Sequence, residues 1–126
     1  MKVFHFTLFI AFTFSLYSCH GDREDEATSI QYRITAEESI LSEAAYRSAD
    51  GSIRIVQGLD GLTLWHTTEF VSDDFDVHLK ATFENVFESG KSYKLWCFVE
   101  GELVLIKEGI APPMEKTIVE LNYSHQ

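Results

Sequence analysis

Cysteine, proline and basic residues are all scarce in this chain. Two Cys and two Pro occur among 126 residues, and ten Lys and Arg stand against 20 Asp and Glu, a formal net charge of −10. The shortage of cations excludes nucleic acid as a partner, because holding a phosphate backbone takes a basic surface. It argues equally against electrostatic attachment to anionic lipid, and its plain consequence is solubility. No Cys-x-x-Cys, His-x-His or His-Glu-x-x-His spacing is present, so the three or four ligands of a metal site have no motif to come from. Asp73-Asp74-Phe75-Asp76 lacks the glycine and the run of about twelve residues that a calcium loop needs. There is no glycine-rich phosphate loop and no Ser, His and Asp order that would mark a nucleophile. Nothing in the sequence asks for a cofactor. Helical periodicity is missing too, and no apolar run reaches the roughly 20 residues of a membrane helix.

The chain does have a short apolar start. Lys2 is the only charge before Asp22, and residues 3–16 are apolar, with Phe at 4, 6, 9, 12 and 14. An amphipathic or buried helix would need a polar face that this stretch does not offer. Its length is that of a signal-peptide apolar region. Leu16-Tyr17-Ser18-Cys19 resembles the lipobox of bacterial lipoproteins. That resemblance implies a signal peptide over 1–18, acyl chains on Cys19 and a protein tethered to the bilayer of the cell envelope, at the outer membrane on its periplasmic or outer side. Stable anchoring takes two or more chains. A plain secretory signal cut near Ser18 is the competing reading, and it would leave Cys19 an ordinary thiol. Residues 19–27 hold the cluster Asp22-Arg23-Glu24-Asp25-Glu26, which resembles the export signal of surface lipoproteins in Bacteroidota and reads as well as a solvated spacer. Cleavage before Cys19 leaves 108 residues, with nine Lys and Arg against 20 Asp and Glu, a net charge of −11. That length suffices for one domain with its own core, over 28–126.

Within that domain the pattern is of short strands. Ile30, Tyr32 and Ile34 alternate with Gln31 and Arg33. Leu41 to Ala49 and Ser52 to Gln57 flank Asp50-Gly51, the strongest hairpin signal in the chain. Leu62, Leu64 and His66 are expected on one face, with Thr63, Trp65 and Thr67 on the other. Phe75, Val77, Leu79, Ala81 and Phe83 alternate with Asp76, His78, Lys80, Thr82 and Glu84, which means one buried and one wet face. Tyr93 to Val99 and Leu103 to Lys107 flank a second turn, Glu100-Gly101. Both runs are apolar on both faces, as in strands that are central, covered or bound. Thr117, Val119, Leu121 and Tyr123 share one side of a last strand. About eight strands and no helix make an all-β chain, an antiparallel β-sandwich that is immunoglobulin-like in the broad sense.

Candidates for chemistry are few. Cys97 shares a face with Leu95 and Val99 and is expected to be a small buried hydrophobe, since no activating base lies near it in the sequence. His66 is expected to be half-buried and His78 solvated. No catalytic or metal-binding residue is assigned. Trp65, Trp96 and Phe98 fall opposite the apparent core residues of their strands and are the candidate binding residues. Clustered, they would make an apolar surface for a partner or a sugar ring. The competing expectation, and the preferred one, is that the fold itself covers them.

From Ile30 to Lys107 the order of features resembles the small mycobacterial membrane-protein family that accompanies resistance-nodulation-division lipid exporters. The matching pieces are Ile30-Gln31-Tyr32-Arg33-Ile34, then Tyr46-Arg47-Ser48-Ala49-Asp50-Gly51, then Leu64-Trp65 with Phe70. Cys97-Phe98-Val99-Glu100-Gly101-Glu102-Leu103-Val104 completes them. Leu64 stands where that family carries proline before the tryptophan, and a lipid anchor stands in place of its membrane helix. The resemblance implies a β-sandwich without catalytic residues that assists an envelope partner. Three functions therefore follow as expectations: a non-enzymatic envelope lipoprotein acting as an interaction or accessory module, a surface-displayed carbohydrate-binding module, and a small hydrolase built on paired carboxylates.

Overall fold

The computed structural model describes residues 27–72 and 74–125. The signal peptide over 1–18, the lipidation of Cys19 and nearly all of the 19–27 tether lie outside the described residues, as does Asp73. The strands are β1 (Thr28–Ala36), β2 (Leu41–Arg47), β3 (Ile53–Gln57), β4 (Leu64–Val71), β5 (Phe75–Asn85), β6 (Lys91–Val99), β7 (Glu102–Ala111) and β8 (Glu115–His125). They form two four-stranded antiparallel sheets, ordered β4-β1-β6-β7 and β3-β2-β5-β8. The expected sandwich is therefore present, with its own strand order: β1 and β2 lie in opposite sheets.

The core follows from the alternation. On β5, Val77, Leu79, Ala81 and Phe83 are at most 2% exposed, and on the facing sheet Ile30, Tyr32, Ile34, Leu95 and Cys97 are at 0%. Side chains two apart on a strand share a face, so each strand delivers one row to the interior. The Tyr32 hydroxyl crosses the sandwich and donates to the Arg47 carbonyl at 2.8 Å. Burial holds that phenol well above its ordinary range. Phe83 and Tyr93 stack with centroids 4.7 Å apart. Asn85 is buried with all its capacity used: Nδ2 donates to the carbonyls of Ser89 and Ala111, and Oδ1 accepts from the Phe87 amide. It ties the β5–β6 loop to the end of β7.

Both expected turns form. At Asp50-Gly51 the carboxylate accepts from Ser48 Oγ, Ser52 Oγ and the Ser52 amide. Those donors hold its pKa well below the usual carboxylate range. At Glu100-Gly101 both residues have positive φ, 52° and 83°, the two-residue turn whose twist suits a hairpin. Glu100 tolerates that backbone while tied to β1: its amide donates to the Ser29 carbonyl and its carboxylate accepts from the Ser29 amide.

Two expectations fail on edge strands. On β4 the inward residues are Trp65, Thr67, Glu69 and Val71, while Leu64, His66, Thr68 and Phe70 point out. Leu62 precedes the strand and is exposed, and the core position in that loop belongs to Leu59. An edge strand is anchored at few points, here Val71 and the Trp65 ring, and its remaining apolar residues do not report which face is inside. On β7 a register shift opposite Cys97 and Phe98 breaks the alternation. Val104 and Leu105 both pack on the core, while Leu103 and Ile106 both face out.

Leu79→Ala is expected to cost about 2–5 kcal/mol, as for other buried leucines. Its outward neighbour Lys80→Ala should stay within about 0.5 kcal/mol. Urea titrations of the two variants check the register of β5 directly.

Candidate functional site

Leu95, Cys97 and Val99 commit one face of β6 to the core, so Lys94, Trp96 and Phe98 must stand on the other. β6 lies between β1 and β7, and its register with them fixes what surrounds the two rings. Across the sheet one row runs His66, Arg33, Trp96, Ile106 and the next runs Thr68, Gln31, Phe98, Leu103. The Trp96 and Phe98 rings lie within 10° of parallel, with centroids 6.1 Å apart. The Arg33 guanidinium sits 4.7 Å from the Phe98 centroid and 5.9 Å from that of Trp96, and Lys94 Nζ is 5.5 Å from the Trp96 ring. A cation over an aromatic face is worth about 0.5–1 kcal/mol at exposed sites. Arg33 is further held by donating to Gln31 Oε1 at 3.2 Å. The Trp96 indole N–H points to Thr35 Oγ1 at 3.4 Å. Lys94 pairs loosely with Glu108 at 3.9 Å.

Trp96 and Phe98 are half-buried, and the cover comes from Arg33, Lys94 and each other. Neither ring packs against the core. The expectation that the fold covers them is thus met only at this local level, by neighbours on the same face. Around them Leu103, Ile106, Leu64 and Phe70 are 48%, 38%, 49% and 65% exposed.

Trp65 does not join this surface. It lies on the inner face, its ring 5.6 Å from Tyr46, which is in turn 5.4 Å from Tyr32. The three candidate aromatics therefore split into one core residue and one surface pair. His66, expected half-buried, is exposed on the outer face beside Arg33. His78 is on the outer face of the other sheet, 2.7 Å from Asn122 Oδ1. Arg33 and Lys94 were not candidates in the sequence. Their place beside the rings comes from the β1–β6 register and from two-residue spacing along β6, and only the latter could have been read.

Elsewhere the surface is shallow. One recess, about 370 Å³, is lined by Arg47, Asp76, Val77, Asn122, Tyr123 and Ser124. Another places the exposed Glu84 and Glu115 beside Lys116. Both are open to solvent, without the water-excluding walls that would tune a general acid. Among the described residues no group of three or more His, Cys, Asp or Glu converges. Cys97 is the free thiol of the described residues. Burial pushes its pKa up to about 11, the opposite of what activates a nucleophile. Comparison with protein-family models and with curated proteins finds no match to this chain.

Trp65→Ala is expected to cost about 3 kcal/mol, the low end for buried aromatics, and Trp96→Ala only about 1 kcal/mol, the scale of a cation–π and a cross-strand contact. Thermal melts of both variants test the split between core and surface. The thiol predicts a pH effect. The folded pKa is raised, so this contribution to stability is full below the ordinary thiol value near 9 and is lost as pH rises toward 11. The wild type should therefore lose more stability than Cys97→Ala between pH 8 and 10.5, measured by urea midpoint.

Proposed function

We propose that this chain is a non-enzymatic lipoprotein module of the cell envelope. Acylated Cys19 holds it to the bilayer, and the outer face of β4-β1-β6-β7 serves a partner in an interaction or accessory role. One observation carries the reading. Trp96 and Phe98 are fixed in place by Arg33 and ringed by exposed Leu103 and Ile106, yet no second layer among the described residues lies over them. Side chains of that kind, central and held rigid, are the ones that dominate binding surfaces. The lipobox resemblance supplies the anchor, and the likeness to a family that accompanies lipid exporters agrees with an accessory role.

The strand directions support the same reading. The described chain begins at the end of the sandwich that carries the turns 48–52 and 100–101, so an anchor at Cys19 joins the domain at a strand end and not through the sheet face. Carbohydrate binding is a special case of this role and is favoured by the same rings. The hydrolase alternative draws on the exposed Glu84 and Glu115 beside one open recess.

In the native host, labelled palmitate is expected on the wild type and not on Cys19→Ser, and the variant should leave the membrane fraction while remaining folded. A photoreactive benzoyl-phenylalanine in place of Ile106 should crosslink a partner, and one in place of Ile55 on the other sheet should not. Palmitate absent from the wild type would remove the anchor. Equal crosslinking at both positions would remove the assigned face.

A further inference from the structure

The chain is strongly acidic, but its charge is unevenly placed. On the outer face of β4-β1-β6-β7 the charged residues of the strands are Arg33, Lys94 and the titratable His66 against Glu108 alone, which Lys94 already engages. The outer face of the other sheet carries Arg47, Lys80, Lys116 and the titratable His78 against Glu43, Asp76, Glu84 and Glu120. In a chain of net charge −10, the aromatic face is thus the outer sheet face, among the described residues, on which cations outnumber acids, and an anionic ligand is its electrostatic complement.

Three kinds of anionic ligand differ in what they need. An extended acidic peptide would add to a sheet edge through its backbone. Both edges of this sheet carry an inward-pointing charge, a known guard against such pairing. On β7 it is Lys107, whose Nζ donates to the Glu120 carbonyl of β8, and on β4 it is Glu69, which accepts from the Ala49 amide. A bilayer needs a continuous apolar face. Here the most exposed apolar residues lie on the two edge strands, Leu64 and Phe70 on one and Leu103, Ile106 and Ile110 on the other. The polar row Ser29, Gln31, Arg33 and Thr35 runs between β4 and the rings. An acidic sugar chain needs what is present: aromatic rings for the apolar faces of its sugars, a fixed guanidinium for its carboxylates, and side-chain amides and hydroxyls for its own hydroxyls.

We infer that the Arg33–Trp96–Phe98 face binds a carboxylated polysaccharide, its uronate groups paired to Arg33 and Lys94 and its sugar rings set against Trp96 and Phe98. This rests on the reading of that face as the partner surface. Gln31, Thr35, His66 and Thr68 supply hydrogen bonds along the β1 side of the chain. Binding weakens as salt rises, because Lys94 is exposed and Arg33 only half-buried, so both are reached by screening ions.

The test uses full-length protein carrying Cys19→Ser, titrated by calorimetry with polygalacturonate, alginate and hyaluronate. Dextran is the neutral control, polyglutamate the acidic peptide, and vesicles of phosphatidylglycerol and phosphatidylethanolamine the membrane. Saturable binding is expected to at least one uronate polymer, with affinity reduced tenfold or more by Arg33→Gln and by Trp96→Ala and unchanged by Ile55→Ser. Circular dichroism melts confirm that each variant is folded. Binding to dextran as tight as to the uronates, or tighter binding to polyglutamate or vesicles, would overturn the inference. Failure of all three uronates would overturn it too. In that case crosslinking through position 106 in cells would leave the partner-surface reading standing, and its loss would remove both.

Discussion

Everything in this molecule depends on one row of side chains finding another across the sandwich. β5 presents Val77, Leu79, Ala81 and Phe83, and β1 and β6 present Ile30, Tyr32, Ile34, Leu95 and Cys97, all essentially without solvent contact. Fully burying each large apolar side chain is worth about 1.5–3 kcal/mol, and a domain of this size has no second core to draw on. Period-two geometry then dictates the rest. Once the inner rows are committed, every alternate residue of β1 and β6 must face outward, whatever its chemistry. Trp96 and Phe98 stand on the surface because Leu95, Cys97 and Val99 do not.

The same constraint explains how the aromatic face is held. With no layer above it, its order has to come from within the sheet. Arg33 is brought opposite Trp96 by the β1–β6 register, and Gln31 fixes its guanidinium. That register is in turn pinned at the start of β1 by Glu100, whose amide and carboxylate both bond the Ser29 backbone. A turn residue, a strand register and a cation–aromatic cluster therefore form one chain of dependence.

How much of this could be read from the sequence varied with position in the sheet. β5 was legible because a central strand with one wet face must alternate, and its parity holds for ten residues, although Thr82, expected on the wet face, is buried at 7% exposure. Both glycine turns were legible because Asp50-Gly51 and Glu100-Gly101 sit between apolar runs. β4 was misread because an edge strand buries little: its core face is set by Trp65 and Val71, while the more conspicuous Leu64, His66 and Phe70 face out. The bulge at Val104 was invisible for a different reason. Val104 and Leu105 both turn inward because β7 carries one residue more than β6 there, Leu103 facing Phe98 and Leu105 facing Cys97. Arg33 and Lys94 were missed as site residues because nothing local marks a solvated cation; their meaning arises only when β1 is laid beside β6. Trp65 stood beside Trp96 and Phe98 as a candidate because sequence shows face parity within a strand and not which face is inside.

Exposure alone does not single out the aromatic face. Ile53, Ile55 and Ile118 on the other sheet are 44%, 62% and 56% exposed, and a net charge far from zero is enough to keep such scattered residues soluble. What separates the two faces is organisation. The isoleucines lie on the edge strands β3 and β8, with Lys80 and Glu120 on the strands between and beside them. Trp96 and Phe98 lie on a central strand, parallel to each other, clasped by a guanidinium that is itself fixed. A rigid aromatic pair loses little conformational freedom on meeting a ligand, so more of its contact energy survives as affinity. A solubility problem would be solved by replacing such residues. Here Arg33, Lys94 and Gln31 hold them in place, and on that order the proposed partner surface rests.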